Sequence, residues 1–345
     1  MMRLLLTSLA LVLMTACAER QDATPGPSPA ADALQSAEKL VFMAGFKPQA
    51  NLPFVAVYVA QERGYFREEG LDVEIRHAAT GEHLKLLMSG DVDVTTAAAS
   101  SVLKRRADPG LPVVAFALFG QRGQQAYVAL ESSGMRTPKD WEGKTFGYRT
   151  SVPPDYLAML SANGVDRSKI REVNAGFDVR VLTEGRVDLL AVFKSNEPDT
   201  IRRLGFEVLQ WSPEDFGVDN IGLTFITRED MVAGSPDRLA RFLRATLRAM
   251  EDIQADPDGA VSVVMKYAPE EDRDHQRFML QAEMADAFGP VTGAHGFGWM
   301  TDEQWKVLHE QLVQFDALPE FDYRAAYTHT ILRAAREDKP RTNTP

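Results

Sequence analysis

Apolar and polar residues follow one another along the first two thirds of the chain in the order of strands and helices in turn. Leu40–Ala44 is a short apolar run typical of a buried strand, and Leu71–Ile75 alternates apolar and acidic residues with the period of a half-buried strand. Between them, Pro53–Arg63 predicts a helix that begins at a proline and ends at Gly64. A strand, a helix and a strand in this order predict a βαβ unit.

Two helix-to-strand junctions with the same pattern occur at separate places in the chain. In each, a helical segment ends at a glycine and a strand begins with Val-Asp; the glycines are Gly90 and Gly185. A glycine past a helix end is a general structural signal, but the pair predicts two α/β lobes built on one plan. Further strands are predicted at Val113–Leu118, Ala126–Leu130, Thr145–Tyr148, Lys169–Val173, Leu189–Phe193, Glu207–Gln210 and Gly222–Thr227.

Beyond Asp230 the spacing of apolar residues becomes helical. Ser235 and Pro236 form the cap and the first-turn proline of a helix whose apolar residues recur every three or four positions. Further helices are predicted at Gly259–Tyr267, Arg273–Ala287, Asp302–Phe315 and Tyr323–Arg336. We therefore expect two open α/β sheets, with the C-terminal helices packed against the first.

The N-terminus carries the pattern of an export signal. Arg3 precedes the apolar stretch Leu4–Leu13, which at about ten residues is too short to cross a bilayer, since a spanning helix needs roughly 20. Met14–Cys17 resembles the bacterial lipobox, which implies a lipid on Cys17. A plain signal peptide with an incidental cysteine is the alternative. We predict a lipoprotein signal peptide at 1–17, a flexible linker at 18–37, a polar tail at 337–345, and a cell-membrane anchor facing outside the cytoplasm.

Composition excludes several kinds of chemistry. Cys17 is the single cysteine, so the chain can form no intramolecular disulfide, thiolate zinc site or iron–sulfur cluster. The six histidines show no clustered spacing, so we expect no metal site and no cofactor. With 49 acidic against 38 basic residues, the net charge of -11 argues against a nucleic-acid partner.

One segment of the sequence resembles a known family. Asn51–Ile75 resembles the opening signature of ABC-transporter solute-binding proteins of the thiamine-pyrimidine-precursor, nitrate and sulfonate group. Leu87–Val94, Trp141–Tyr148 and Val179–Phe193 follow in the order that this family uses. The resemblance extends over Leu40–Ile226, and its first segment is the most specific.

This resemblance implies a bilobal periplasmic-binding-protein fold of type II, with a ligand cleft between two open α/β lobes. Lobe 1 would comprise 38–126 and 224–336, and lobe 2 would comprise 127–223, with crossings near Gln125–Ala129 and Gly222–Ile226. It also implies a monomeric binding component that delivers a small molecule to an ABC permease in the membrane.

Open α/β sheets bind ligands beyond the carboxyl ends of their strands, so the loops there are the candidate site. Their aromatic rings and uncharged polar groups favour a planar heterocycle over an oxyanion, which would need a cluster of cationic groups. Each aromatic residue can also be a core residue, and Asn51, Asn196 and Glu197 can instead cap helices. The candidate ligand-binding residues are Phe46, Asn51, Ser100, Gln121, Tyr148, Phe193, Ser195, Asn196, Glu197 and Trp211.

Taken whole, the chain resembles riboflavin-binding lipoproteins of bacterial riboflavin ABC transporters, which makes riboflavin the first ligand hypothesis. A thiamine pyrimidine precursor is the second, because the loop Lys47–Phe54 lacks the tryptophan associated with pyrimidine binders. The yeast-type pyrimidine synthase resembles the same fold but uses a histidine with iron and a cysteine-rich motif, which this chain lacks. We therefore predict a protein that is not an enzyme and has no catalytic residue; a ligand-sensing subunit is a further alternative.

Overall fold

The computed structural model describes residues 37–79 and 81–337. Cys17, the signal peptide, all but the last residue of the linker and all but the first residue of the polar tail lie outside the described residues. Across the described ranges, no helix combines the length and the apolar character that crossing a bilayer requires.

The strands form two five-stranded sheets of the same design. In the first the order is β2-β1-β3-β10-β4, and in the second it is β7-β6-β8-β5-β9. In each sheet three neighbouring strands are parallel, and the fourth runs antiparallel to the strands on both of its sides. The strands are β1 (Glu38–Ala44), β2 (Leu71–His77), β3 (Val94–Ala98), β4 (Val113–Leu118), β5 (Gln125–Leu130), β6 (Thr145–Tyr148), β7 (Arg171–Asn174), β8 (Leu189–Phe193), β9 (Val208–Trp211) and β10 (Leu223–Arg228).

Helices cover both sheets and make up most of the C-terminal third. The helices are α1 (Leu52–Arg63), α2 (Tyr65–Glu68), α3 (His83–Ser89), α4 (Ala99–Ala107), α5 (Pro154–Ala162), α6 (Arg180–Thr183), α7 (Glu197–Arg203), α8 (Glu229–Gly234), α9 (Pro236–Ala255), α10 (Pro257–Tyr267), α11 (Arg273–Ala287), α12 (Pro290–His295), α13 (Asp302–Asp316) and α14 (Thr330–Glu337).

The local sequence signals explain these elements. Gly90 and Gly185 both adopt the left-handed conformation, with φ of 86° and 69°, and so end the helices before β3 and β8 as the repeated pattern predicts. Helix α1 is buried along all of its first nine residues, because α9 and α10 cover the side that faces away from the sheet. Its apolar character on all faces follows from this position.

Two predictions about local structure are wrong. The predicted helix Tyr323–Arg336 is a 3₁₀ turn at Tyr323–Ala326 followed by α14. It breaks because Tyr327 pairs with Ala115 of β4, and the Thr328 N–H donates to the Ala115 carbonyl at 2.8 Å, which extends the sheet edge. Ser100, which is expected in a loop beyond a strand end, instead lies in a helix, since β3 runs to Ala98 and α4 begins at the next residue.

The chain passes between the two sheets along two adjacent segments, 119–124 and 212–222. They contact each other at two glycines, where the Gly222 N–H donates to the Gly120 carbonyl at 2.9 Å. A Cβ atom at Gly222 would lie 2.8 Å from the Arg122 carbonyl oxygen and 3.2 Å from the Gly120 Cα. Only glycine therefore allows the two segments to approach this closely.

Replacing Gly222 by alanine should lower the free energy of unfolding by about 1–3 kcal/mol, because the added methyl group forces the two backbone segments apart. Chemical denaturation measures this change. Gly293→Ala is the matched control, since no atom lies within 4 Å of its added Cβ. Equal stability of Gly222→Ala and the control would show that the segments are not tightly packed.

Two C-terminal helices reach across to the second sheet. Helix α9 packs on α1 and α14 in the first lobe, but α11 also contacts α7 and α13 packs against α5. The two lobes are therefore joined by the crossing segments and also by helix contacts on either side of them.

Candidate functional site

A cleft of about 490 Å³ lies between the two lobes. The first lobe contributes the loop after β1 and the junction between β3 and α4, and the second contributes the residues after β8 together with Arg149 and Phe177. Met279 of α11 also lines it. The cleft thus lies at strand ends, where open α/β sheets bind ligands, and its volume is within the ~300–1,000 Å³ usual for small-molecule sites.

Exposed phenylalanine rings from both lobes converge in this cleft. Phe46 from the first lobe is 50% exposed, and Phe193 and Phe177 from the second are 40% and 69% exposed. Within the described ranges, the other large apolar side chains with comparable exposure are Leu204 and Phe206, and neither lines the cleft. A concentration of exposed apolar surface inside a concave site is typical of a ligand-binding surface.

Arg149 lies over two of these rings, Phe177 and Phe193, and its charge is paired with a carboxylate. Its guanidinium lies 4.2 Å from the centre of the Phe193 ring and 2.7 Å from the Glu197 carboxylate. The other oxygen of Glu197 accepts a hydrogen bond of 2.8 Å from the Phe193 N–H. Arg149 and Glu197 therefore hold Phe193 in place, and the ion pair leaves little net charge to attract an anion.

A buried carboxylate lies beneath the cleft, where both lobes meet α11. One oxygen of Glu283 accepts hydrogen bonds from Asn51 at 3.0 Å, Ser195 at 3.0 Å and Gln124 at 3.3 Å, and the other accepts from the Leu52 N–H at 3.4 Å. Burial raises the pKa of Glu283, and the donated hydrogen bonds oppose that shift. Glu283 thus connects the first lobe, the second lobe and a crossing segment.

Polar contacts between the lobes continue along α11. His275 contacts Asp199 at 2.7 Å through Nδ1 and the Asn196 amide oxygen at 2.9 Å through Nε2. Near the other end of the helix, the Lys194 ammonium lies 2.8 Å from Asp286. Helix α11 is therefore bound to the second lobe through three of its residues, His275, Glu283 and Asp286.

Six of the ten predicted site residues line the cleft. Four of them bond to other protein groups: Asn51 and Ser195 donate to Glu283, Glu197 pairs with Arg149, and the Asn196 amide oxygen contacts His275. Neither Asn51 nor Asn196 caps its helix through its side chain. The six residues are Phe46, Asn51, Phe193, Ser195, Asn196 and Glu197.

The structure does not bring the other four predicted residues to this cleft. Trp211 is buried in the second-lobe core, where its ring packs edge-on against Trp141. Gln121 bonds to the Trp299 carbonyl and to the Gln304 side chain, and Tyr148 packs beside the second-lobe core. Ser100 lies in the first turn of α4 and faces an adjoining cavity. Side chains alternate in direction at a strand end, so a position there does not decide which way a ring points.

Several cleft residues are missing from the sequence-based set. Phe177 follows β7, whose carboxyl end is next to that of β6, and this adjacency was the signal for it. Gln124 lies on a crossing segment, which is next to any cleft between the lobes. Glu283 carried no signal, because its contacts come from residues far away in the chain.

No cluster of three or more His, Cys, Asp or Glu side chains suited to a metal ion occurs between residues 37 and 337, Thr80 aside. His83 and Arg105 line the first-lobe edge of the cleft. Burial lowers the pKa of His83, Glu82 opposes this shift and Arg105 adds to it, so a neutral imidazole is favoured there at pH 7.

Comparison with known proteins gives relatives over most of the chain. The chain is 27% identical over 318 residues to the riboflavin-binding protein RibY of Chloroflexus aurantiacus, covering 88% of this chain and 89% of that one. It is 28% identical over 294 residues to the formylaminopyrimidine-binding protein of Halalkalibacterium halodurans, covering 81% and 88%. A 4-amino-5-hydroxymethyl-2-methylpyrimidine phosphate synthase of Schizosaccharomyces pombe is 23% identical over 245 residues, covering 64% and 67%.

A solved structure and a family model agree with these relatives. The periplasmic sulfonate-binding protein SsuA from Methylobacillus flagellatus is 16% identical and superposes with a TM-score of 0.67 over 88% of this chain and 95% of its own. This likeness confirms the predicted bilobal periplasmic-binding-protein fold. The model of the family described as NMT1/THI5 like matches residues 51–260, which is more than half of the chain, so the protein belongs to the NMT1/THI5-like family.

Proposed function

We propose that this protein is the solute-binding component of an ABC importer and that its ligand is riboflavin. It captures the vitamin outside the cytoplasm as a monomer and delivers it to a membrane permease. The relatives that cover most of the chain include two proteins named for binding a small heterocyclic molecule, which supports a binding role.

The observation that carries the choice of ligand is the convergence of Phe46, Phe177 and Phe193 in one cleft. A flat ring system that stacks on these side chains would gain about 0.5–1.5 kcal/mol per ring pair beyond the area buried. The described residues that line the cleft include no cluster of cationic groups to hold a nitrate or sulfonate group. Arg149 is paired with Glu197, and a second arginine of the lining, Arg105, lies at the first-lobe edge. These features favour a planar heterocycle.

A thiamine pyrimidine precursor is the second candidate, since a relative with that specificity is about as similar as RibY. The cleft favours riboflavin, because a three-ring flavin can contact phenylalanine rings from both lobes at once. A single pyrimidine ring would leave much of the 490 Å³ unfilled.

We also propose that the protein performs no catalysis. The carboxylates of the cleft itself are Glu197 in its lining and Glu283 beneath it, and they are held by Arg149 and by four hydrogen-bond donors respectively. In these roles they position protein groups and are not free to transfer protons to a ligand. The synthase relative matches at lower identity than the two binding proteins.

A lipid on Cys17 would hold the folded part at the outer face of the cell membrane. In this proposal residues 18–37 form the connection, and the first strand begins directly after them at Glu38. The linker contains three prolines and few apolar residues, which is typical of a segment that separates a domain from its anchor.

Titration of riboflavin with the protein, followed by the quenching of flavin fluorescence, tests this proposal. We expect saturable quenching with a dissociation constant in the micromolar range or tighter, because the isoalloxazine ring would stack on aromatic side chains. Calorimetry with formylaminopyrimidine is the comparison. No quenching together with heat from the pyrimidine would reject riboflavin and assign the second candidate.

A further inference from the structure

A second, smaller cavity adjoins the cleft, and we call it the side chamber. Its volume is about 160 Å³, and it shares Ala98, Gln124 and Phe193 with the cleft. Its remaining walls come from α4, including Lys104, from Gln125 of β5, from the start of α5 with the preceding Pro153, from the second crossing segment and from α13. The side chamber is smaller than a site for a whole drug-sized ligand, which is usually at least ~300 Å³, but it shares the Phe193 wall with a cavity of that size.

The side chamber is lined by a buried carboxylate, Asp155, whose hydrogen bonds go to one of its two oxygens. Asp155 is 5% exposed, and its Oδ1 accepts hydrogen bonds from the Tyr127 hydroxyl at 2.9 Å and from the Tyr156 N–H at 3.1 Å. No hydrogen bond of good geometry reaches its Oδ2 from residues 37–79 and 81–337, although the Asn220 amide lies close enough to lower the pKa of Asp155. A buried acceptor without a donor costs about 1–3 kcal/mol, so a bound molecule that supplies a donor there gains binding free energy.

The pKa of Asp155 agrees with this picture of an incompletely satisfied group. Burial raises the pKa, and the hydrogen bonds from Tyr127 and Tyr156, together with the nearby Asn220 amide, oppose the shift without cancelling it. A further donor from a ligand would complete the set and favour the ionised form.

The other walls of the side chamber suit a chain of hydroxyl groups better than a ring. Ser100, Asn220 and Gln311 offer side-chain donors and acceptors, and Pro153 and Leu308 offer apolar contact on other sides. The Asn220 oxygen already accepts from the Ile221 N–H at 2.8 Å, which leaves its amide N–H groups as donors. A hydroxyl group both donates and accepts, so an arm of several hydroxyls can match such mixed walls.

We propose that the ligand has two parts: an aromatic ring that occupies the cleft and a hydroxylated arm that passes Phe193 into the side chamber, where one hydroxyl donates to Asp155 Oδ2. This inference rests on the proposed function, in which the arm is the ribityl chain of riboflavin. Ser195 and Glu197 are already bonded to Glu283 and Arg149, so the arm binds Asp155 instead. The arm would then give riboflavin a higher affinity than ligands that consist of a ring system alone.

Lumiflavin tests the inference, because it keeps the ring system of riboflavin and replaces the ribityl arm by a methyl group. We expect the wild-type protein to bind riboflavin at least tenfold more tightly than lumiflavin. Asp155→Asn should weaken riboflavin binding about fivefold or more and leave lumiflavin binding unchanged, since the amide keeps an acceptor for Tyr127 and removes the free oxygen. Thermal unfolding of the variant checks that it is folded.

Ser100→Val is a second variant that does not touch Asp155. It narrows the side chamber and should also weaken riboflavin binding while sparing lumiflavin. Equal affinity of the wild type for the two flavins would overturn the two-part ligand and leave the riboflavin proposal standing, as would equal weakening of both flavins in both variants. Binding of neither flavin would overturn the proposed function and this inference together.

Discussion

Replacing Phe193 by alanine should weaken riboflavin binding at least tenfold, which corresponds to about 1.4 kcal/mol. The ring is 40% exposed in the cleft and is held there by Arg149 and by the Glu197 hydrogen bond to its backbone N–H. It also lies at the boundary between the cleft and the side chamber. Its removal therefore takes away a stacking surface and the wall that orients the ligand. Fluorescence titration of the variant measures the change.

Phe206→Ala is the matched control for this experiment. Phe206 is 38% exposed in the same lobe and lies outside the cleft, so its loss removes a similar ring without touching the site. Tyr148→Ala is a second comparison, because that ring also ends a strand but packs beside the second-lobe core and does not line the cleft. If Phe193→Ala bound riboflavin as tightly as Phe206→Ala does, the ring would not stack on Phe193.

Replacing Glu283 by alanine should lower the free energy of unfolding by about 2–4 kcal/mol and weaken ligand binding several-fold. The substitution leaves Asn51, Ser195 and Gln124 without their shared acceptor in a buried place. Binding weakens as well, because these residues come from both lobes and from a crossing segment. Chemical denaturation and ligand titration measure the two effects.

Two further variants show whether the loss of stability and affinity comes from the missing acceptor or from any substitution in α11. Glu283→Gln keeps one oxygen as acceptor for the three side-chain donors. Its amide N–H groups face only one donor, the Leu52 N–H, so the loss of stability and of affinity should be smaller than for Glu283→Ala. Gln281→Ala changes an exposed position on the same helix and should be near neutral. If Glu283→Ala were as stable as Gln281→Ala, the carboxylate would not join the lobes.

The fold was predictable where a local signal determines the backbone. The glycines at 90 and 185 end their helices as the repeated pattern predicts, and β4 and β8 have the predicted limits. The prediction failed at Tyr323–Arg336. The apolar residues there do have helical spacing, but the Thr328 N–H bonds to the Ala115 carbonyl of β4 and not to a helical carbonyl. That competition is a tertiary interaction, and the residues on either side of the break do not indicate it.

The site was predictable to the level of loops and less so to the level of side chains. Phe193 and Tyr148 are both aromatic and both end a strand, yet one ring lines the cleft and the other packs beside the core. Glu283 and Asp155 lie on helices, where an acidic residue usually indicates an exposed face. Their burial depends on contacts with residues distant in sequence.

The most direct test is to identify the molecule that the protein carries when it is purified from cells that make riboflavin. Native mass spectrometry would measure the mass of the complex, and the absorbance of the released ligand would identify its class. We expect one riboflavin per monomer, with the complex lost in Phe193→Ala and retained in Phe206→Ala. A pyrimidine or a sulfonate as the bound molecule, with no flavin absorbance, would contradict it.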